Sequence, residues 1–394
     1  MAGISEIIAA LVLLTGMGVE QNASTASVSD VYRYAPDGAN YSFFLDTKAV
    51  LEPTMNKAES LLKSPVINDL LGEARVSEAN QGIAMMRMMA KSTLGMDPIS
   101  DLHWVSAWLK FESKDGPNVL VAAKGNWPNN FFQTLSARIG GTVERSNGKD
   151  ILRGPRGKMA LAMAGNDIIL FGTAAWIEPR LSMSWRPAKI EPAVKGLFKN
   201  KPHVVAYSQP SPRSGNVVKR WFSGRAAFMR WPLLAHVRFG VALDQRGFNA
   251  HWEGTNANNV KRAKLTAEGG ISLLRAMQHG TIGFGKLVLA WLPGKSNNPV
   301  VATLAKHGDK ILELLLGNSG DGDFKAKVKV DKRRKTVTVD AHGKSLSQVL
   351  PMGGLPLIAG ALWSVSMGKS APAEAIEKGP IAPLKIAPTP VITK

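Results

Sequence analysis

The chain has 394 residues, room for two or three domains of ordinary size, and its 45% hydrophobic content is that of a packed globular protein. Lys and Arg number 49 against 30 Asp and Glu, a formal net charge of +19. Such a field favours an anionic partner: lipid headgroups, an acidic polysaccharide or nucleic acid. There is no cysteine, which excludes disulfides and lipoprotein anchoring.

The N-terminal run Ile7–Val19 has the length of a signal-peptide core and is too short to span a bilayer. Ser24-Thr25-Ala26 is a small-x-small pattern compatible with cleavage after Ala26. The preceding residues carry Glu6 and no Lys or Arg, which argues the other way, for an amphipathic or buried helix. Residues 1–26 are therefore a candidate signal peptide, and the expected location is the periplasm or cell envelope.

Residues 27–190 read as a first α+β unit. Tyr41–Asp46 is a strand. A helix over Ser77–Leu94 stops at Gly95 and carries Met85, Met86, Met88 and Met89, which are expected to fill an irregular core. Trp104–Glu112 and Asn118–Lys124 form a hairpin around Lys114-Asp115-Gly116. Met159–Ala164 and Asp167–Phe171 form another, turning at Gly165-Asn166.

Residues 191–344 read as a second, basic unit. Between Glu191 and Asp244 lie 52 residues without an acid and with nine Lys or Arg. Val204–Ser208 is a strand. Val217–Trp231 reads as an amphipathic helix, with Val217, Val218, Trp221, Phe222, Phe228 and Met229 on one face. Lys219, Arg220 and Arg230 lie opposite and form the candidate anionic-surface site. Arg225 falls in the apolar face, so either the helix breaks at Gly224 or Arg225 is buried and paired. His236–Asp244 and Gly247–Thr255 pair around Gln245-Arg246. A helix over Val301–Leu316 opens at Asn298-Pro299 and stops at Gly317. Phe324–Val330 alternates strictly, with Lys on its polar face, and Lys335–Ala341 answers it across Asp331–Arg334.

Ser345–Gly368 is uncharged and long enough to cross a membrane, although Pro351, Pro356, Gly353, Gly354 and Gly360 make it a poor helix in water. A buried apolar segment is the alternative. Gly360, Ser364 and Gly368 form a small-residue face that could pack against another helix. Residues 369–394 read as a disordered Pro-rich tail.

Tyr34-Ala35-Pro36-Asp37-Gly38-Ala39 leads into a strand and then a helix, and Leu94-Gly95-Met96-Asp97-Pro98-Ile99-Ser100-Asp101 precedes a hairpin. In these motifs the chain resembles uncharacterised exported bacterial proteins that open with a Pro-acid-small strand and repeat an α+β unit. The resemblance covers most of 30–345 in layout and two short motifs in letters. It brings no catalytic residues. The fold class it implies agrees with the order of elements: α+β, two similar strand–helix–hairpin units with antiparallel sheets, plus terminal hydrophobic segments.

No motif for chemistry holds up. Gly280–Lys286 has phosphate-loop spacing, but Leu287 stands where Ser or Thr would hold magnesium. Ser60 and Lys63 match Ser-x-x-Lys without the accompanying Ser-Asp-Asn or Lys-Thr-Gly. Asn318–Asp323 begins like a calcium loop, but Lys325 falls at a ligand position. The seven histidines stand apart, and no catalytic residue, metal site or cofactor is expected. Three readings follow. The first is a non-enzymatic exported envelope protein, held by its C-terminal segment, whose basic face binds an anionic membrane surface or envelope polymer; export sets nucleic acid behind these. The second is a scaffold or assembly subunit with protein partners or self-association. The third is an enzyme whose site is assembled from distant residues.

Overall fold

The structure is a computed structural model. It describes residues 26–209, 236–272, Lys306 and 325–342, interrupted at 66–67, 70–71, 114–115, 140, 147, 155–156, 183, 245–246 and 270. The terminal runs 7–19 and 345–368, the basic helix expected over 217–231, the helix expected over 301–316 apart from Lys306, and the loops over 280–286 and 318–323 lie outside these residues.

The protein is α+β. Its strands are β1 (Tyr41–Leu45), β2 (Leu102–Ser113), β3 (Gly116–Gly125), β4 (Thr142–Ser146), β5 (Lys149–Arg153), β6 (Met159–Met163), β7 (Ile168–Thr173), β8 (Val204–Ser208), β9 (His236–Leu243), β10 (Gly247–Gly254), β11 (Lys325–Asp331) and β12 (Thr336–His342). They form one antiparallel sheet in the order β11-β12-β10-β9-β8-β1-β2-β3-β7-β6-β5-β4. The two parts of the chain meet where β1 pairs with β8, Phe43 opposite Ala206. Outward from that seam the order is β1-β2-β3-β7-β6 on one side and β8-β9-β10-β12-β11 on the other.

Helices cover both faces: α1 (Val28–Val31), α2 (Thr47–Leu62), α3 (Glu73–Leu94), α4 (Phe131–Ile139), α5 (Ala174–Leu181), α6 (Pro192–Leu197) and α7, over 257–269. Local signals set their ends. Asp46 caps α2, its Oδ1 accepting from the Ala49 N–H at 2.8 Å. Gly95 ends α3 in the left-handed conformation (φ 73°), its N–H returning to the Lys91 carbonyl. Pro192 opens α6 at the first helical position, where no N–H is needed.

Strand alternation sends every second side chain to one face. On the first face α1, α5 and α6 close the main core, which contains Phe44, Trp104, Trp108, Leu120, Leu170, Ile177, Leu181, Leu197 and Val205. Each such large side chain stabilises by about 1.5–3 kcal/mol when fully buried. On the second face α4 packs Phe131 and Phe132 against Leu152 and Ile169, and α7 packs Val260 and Ala263 against Trp252 and Val337. The α2–α3 pair forms its own cluster around Met55, Leu62, Ala79 and Ile83, with Arg87 bridging Glu59 at 3.2 Å and Asp97 at 2.7 Å.

The methionine cluster departs from expectation. Met85, Met88 and Met89 are 61%, 70% and 63% exposed. Their i, i+3, i+4 spacing puts them on one side of α3, and the core side of that helix is taken by Val76, Ala79 and Ile83. They are surface residues rather than core filler.

Candidate functional site: a lysine-rimmed groove

Lys219, Arg220 and Arg230, the site expected from sequence, lie outside the described residues. Ser60 and Lys63 sit at the C-terminal end of α2. Among the described residues no group of three or more His, Asp or Glu side chains could hold a metal ion.

A recess among the described residues lies elsewhere. Beyond α6, the first face of the sheet continues over β9, β10, β12 and β11, and the strand register fixes what lines it. Arg238 lies opposite Glu253, His251 opposite Gly240 and Thr338, and Asn249 opposite Asp340. Lys327 and Lys329 stand opposite Asp340 and Thr338. These side chains floor a groove of about 1020 Å³ whose wall is α6 and its flanks, including Lys189, Glu191 and Lys199. Gly240 lets α6 sit close, since a Cβ there would come within 2.4 Å of Leu197.

The side chains divide into a fixed knot and a free rim. Arg238 Nε donates to Glu191 at 3.0 Å and its Nη1 to Glu253 at 2.8 Å. Tyr207 Oη donates to the same Glu191 oxygen at 2.6 Å. The bond to Glu253 raises the Arg238 guanidinium further above its ordinary value, against the cost of burial. Burial, reinforced by the bond to Glu191, raises the Tyr207 phenol. Burial lowers the His251 imidazole, opposed by Glu253 and assisted by Arg238, so it is neutral at pH 7. Asp340 pairs with His342. Lys189, Lys199, Lys327 and Lys329 make no ion pair among the described residues. The groove thus offers hydrogen-bonding groups on its floor and uncommitted positive charge on its rim.

The matching surface across the seam is different. There β3, β7 and β6 present Leu120, Ala122, Leu170, Ala160 and Ala162 to the core, and α5 covers them. Arg180 on α5 is itself buried. It donates to the carbonyls of Tyr34, at 2.7 Å, and Trp176, and its guanidinium lies 4.4 Å from the Trp185 ring centroid. Burial lowers its pKa to about 10. It pins the N-terminal segment to α5.

A second polar cluster lies at the ends of β1, β8 and β9. His203 is buried with neither ring nitrogen hydrogen-bonded, near Asp46 and Asp244. Both acids serve the backbone: Asp46 caps α2, and Asp244 accepts from the Gly247 N–H at 3.0 Å. Burial lowers the His203 pKa against the pull of both aspartates.

Sequence reading had seen the lysines of β11 as a solvated face and Arg238 and Lys199 as members of the acid-free run. It missed Glu191 and Glu253 as the anchors of Arg238, because they lie 47 and 15 residues from it. The alternation Lys325, Lys327, Lys329 was the available signal for the rim.

Among the described residues, no helix is long and apolar enough to cross a membrane. No known family's sequence profile matches the chain, and no curated protein matches it. Among solved structures, TP0453 in crystal form I aligns over 86% of this chain and 99% of its own, at 11% identity and a TM-score of 0.37. Crystal form III of the same protein aligns over 84% and 99%, at 10% identity and the same TM-score. The chain thus has a weak structural resemblance to TP0453, too distant to carry an argument about function.

Proposed function

We propose that this is a non-enzymatic, exported envelope protein whose basic face binds an anionic lipid surface or polymer. The observation that supports the reading is the set of lysines around the groove, uncommitted to any carboxylate among the described residues, in a chain of net charge +19. Charges already neutralised within the fold do little for a partner; these four remain available to one. Export through residues 1–26 and retention by 345–368 complete the proposal. We take 27–190 and 191–344 to be two copies of one α+β unit, which the repeated strand order on either side of the β1–β8 seam supports.

The test is binding to vesicles of phosphatidylglycerol in phosphatidylcholine, and to soluble polyanions, across a salt series. Affinity that falls steeply as salt rises is the expected result. Affinity indifferent to ionic strength sinks the electrostatic reading.

A second reading, a scaffold or assembly subunit, draws on the exposed apolar side chains. Phe43 and Phe171, 41% and 46% exposed, stand on the second face of the sheet, and the three methionines stand on α3. Light scattering decides it: a monomer at all concentrations counts against self-assembly.

A further inference from the structure

Resting on the anion-binding reading above, we propose that the groove beside α6 is the ligand site, and that its ligand is a phosphodiester polymer lying along β11 and over β12.

The place in the fold is the first argument. On one side of the seam this surface is apolar and roofed by α5; on the other the corresponding strands carry Asn249, His251, Thr336, Thr338 and Asp340. A surface built to take a helix buries apolar groups, because each unpartnered polar group under a helix costs free energy. The side chains on β10 and β12 can instead exchange hydrogen bonds with water or with an oxygen-rich ligand.

The spacing of charge is the second. Lys327 and Lys329 project from the same side of β11, two residues and so about 6.6 Å apart. That distance is commensurate with the repeat of phosphates joined through a short alkyl link. Lys189 and Lys199 face them from the other wall, so a thread in the groove meets cations on both sides.

The chemistry of the cations is the third. Carboxylates are best recognised by a planar guanidinium fork, and the fork on this floor, Arg238, is already filled by Glu191 and Glu253. Arg334 also lines the groove, 3.8 Å from Asp331, and the other free groups are the four lysine ammoniums, point charges that suit phosphate oxygens at varied angles. Among the described residues no Trp, Tyr or Phe lines the groove, so none of them gives bases a platform to stack on. The recess is concave, which admits a thread and holds a flat bilayer off its floor.

The experiment uses the full chain and a glycerol phosphate oligomer as probe, with polygalacturonate, oligothymidylate and phosphatidylglycerol vesicles as comparisons. The variants are K327E/K329E in the groove and K261E/R262E on the exposed side of α7. Both pairs are exposed, and thermal melts that match the wild type are required of both variants before binding is compared. We expect the groove variant to bind the oligomer about tenfold more weakly or worse, with its salt slope reduced by about two, while the α7 variant stays near wild type. The oligomer should also protect Lys327 and Lys329 of the wild type from amine acylation. Equal binding by the two variants overturns the site and leaves the anion-binding reading standing. Tighter binding of polygalacturonate or oligothymidylate overturns the ligand class. Groove-dependent binding to vesicles without binding to the oligomer assigns the phosphates to lipid and overturns the polymer. A wild type that binds none of these overturns the reading and the inference together.

Discussion

Replacing Tyr207 with Phe tests the knot that fixes the groove wall. The Tyr207 hydroxyl donates to Glu191 at 2.6 Å, and the same carboxylate oxygen receives Arg238 at 3.0 Å. The substitution removes one bond to a charged acceptor and keeps the ring in the core. A hydrogen bond to a charged group is worth about 1.5–3 kcal/mol. Glu191 is 35% exposed and retains Arg238 and water, so about 1 kcal/mol is expected once screening is discounted. That corresponds to a fall in melting temperature of about 2 °C. A double-mutant cycle with Glu191→Ala, which leaves no acceptor, should return most of it as coupling. The alkaline limb gives an independent check. Burial, then the Glu191 bond, raises the folded-state pKa of Tyr207 above 10.0. Above that pH the unfolded phenol ionises while the folded one does not, so stability falls as pH rises through and beyond the ordinary value. Tyr207→Phe should make that fall shallower without abolishing it, because burial also pushes Tyr32 up to about 12. Urea melts from neutral to alkaline pH measure both effects. Wild-type stability, no coupling and an unchanged alkaline limb would refute the reasoning.

Other outcomes follow from particular residues. Burial depresses both His203 and His251, so their contribution is complete above the ordinary value of 6.5 and is lost as pH falls below it; a urea midpoint that does not drop between neutral and mildly acid pH contradicts this. Gly247→Ala would place a Cβ 1.9 Å from the Ala341 carbonyl oxygen on the neighbouring strand, and should cost about 4 kcal/mol or more. Gly148→Ala meets no atom within 4 Å and pays only for its φ of 76°, about 1–2 kcal/mol; denaturant melts of the pair rank the two effects. Met88→Ser on the exposed side of α3 should change stability by less than about 0.5 kcal/mol, whereas Met55→Ala in the α2–α3 core should lose about 2–5 kcal/mol. Equal losses would mean that the Met88 side of the helix is covered.

The hairpins were legible because alternation and turn chemistry agree in them. In β11–β12, Asp331 Oδ1 accepts from the N–H groups of Arg333 and Arg334, the local bond that Asp supplies in turns. The β4–β5 hairpin was missed. Thr142–Ser146 is an almost wholly exposed edge strand, so no hydrophobic alternation marks it. Asn147-Gly148 was the signal that could have found it, and Gly148 has the positive φ such a turn needs. The methionines misled because composition does not say which side of α3 is covered; the smaller Val76, Ala79 and Ile83 made the contact instead. The groove was legible only as a row of lysines. Its wall and floor come from segments far apart in the chain, brought together by strand order, and one-dimensional spacing carries no record of that.

The seam between β1 and β8 has a consequence for how the molecule comes apart. It is five residue pairs long, and the largest core runs beneath it without a break, from Val31 and Trp108 on one side to Val205 and Ala242 on the other. Parting the halves would expose Phe44, Leu197 and Val205 together, so neither half retains a closed core by itself. The connection over 182–191 is therefore a tether rather than a hinge. A protease cut within it should leave two fragments still bound to each other through the sheet, released only when the whole core unfolds.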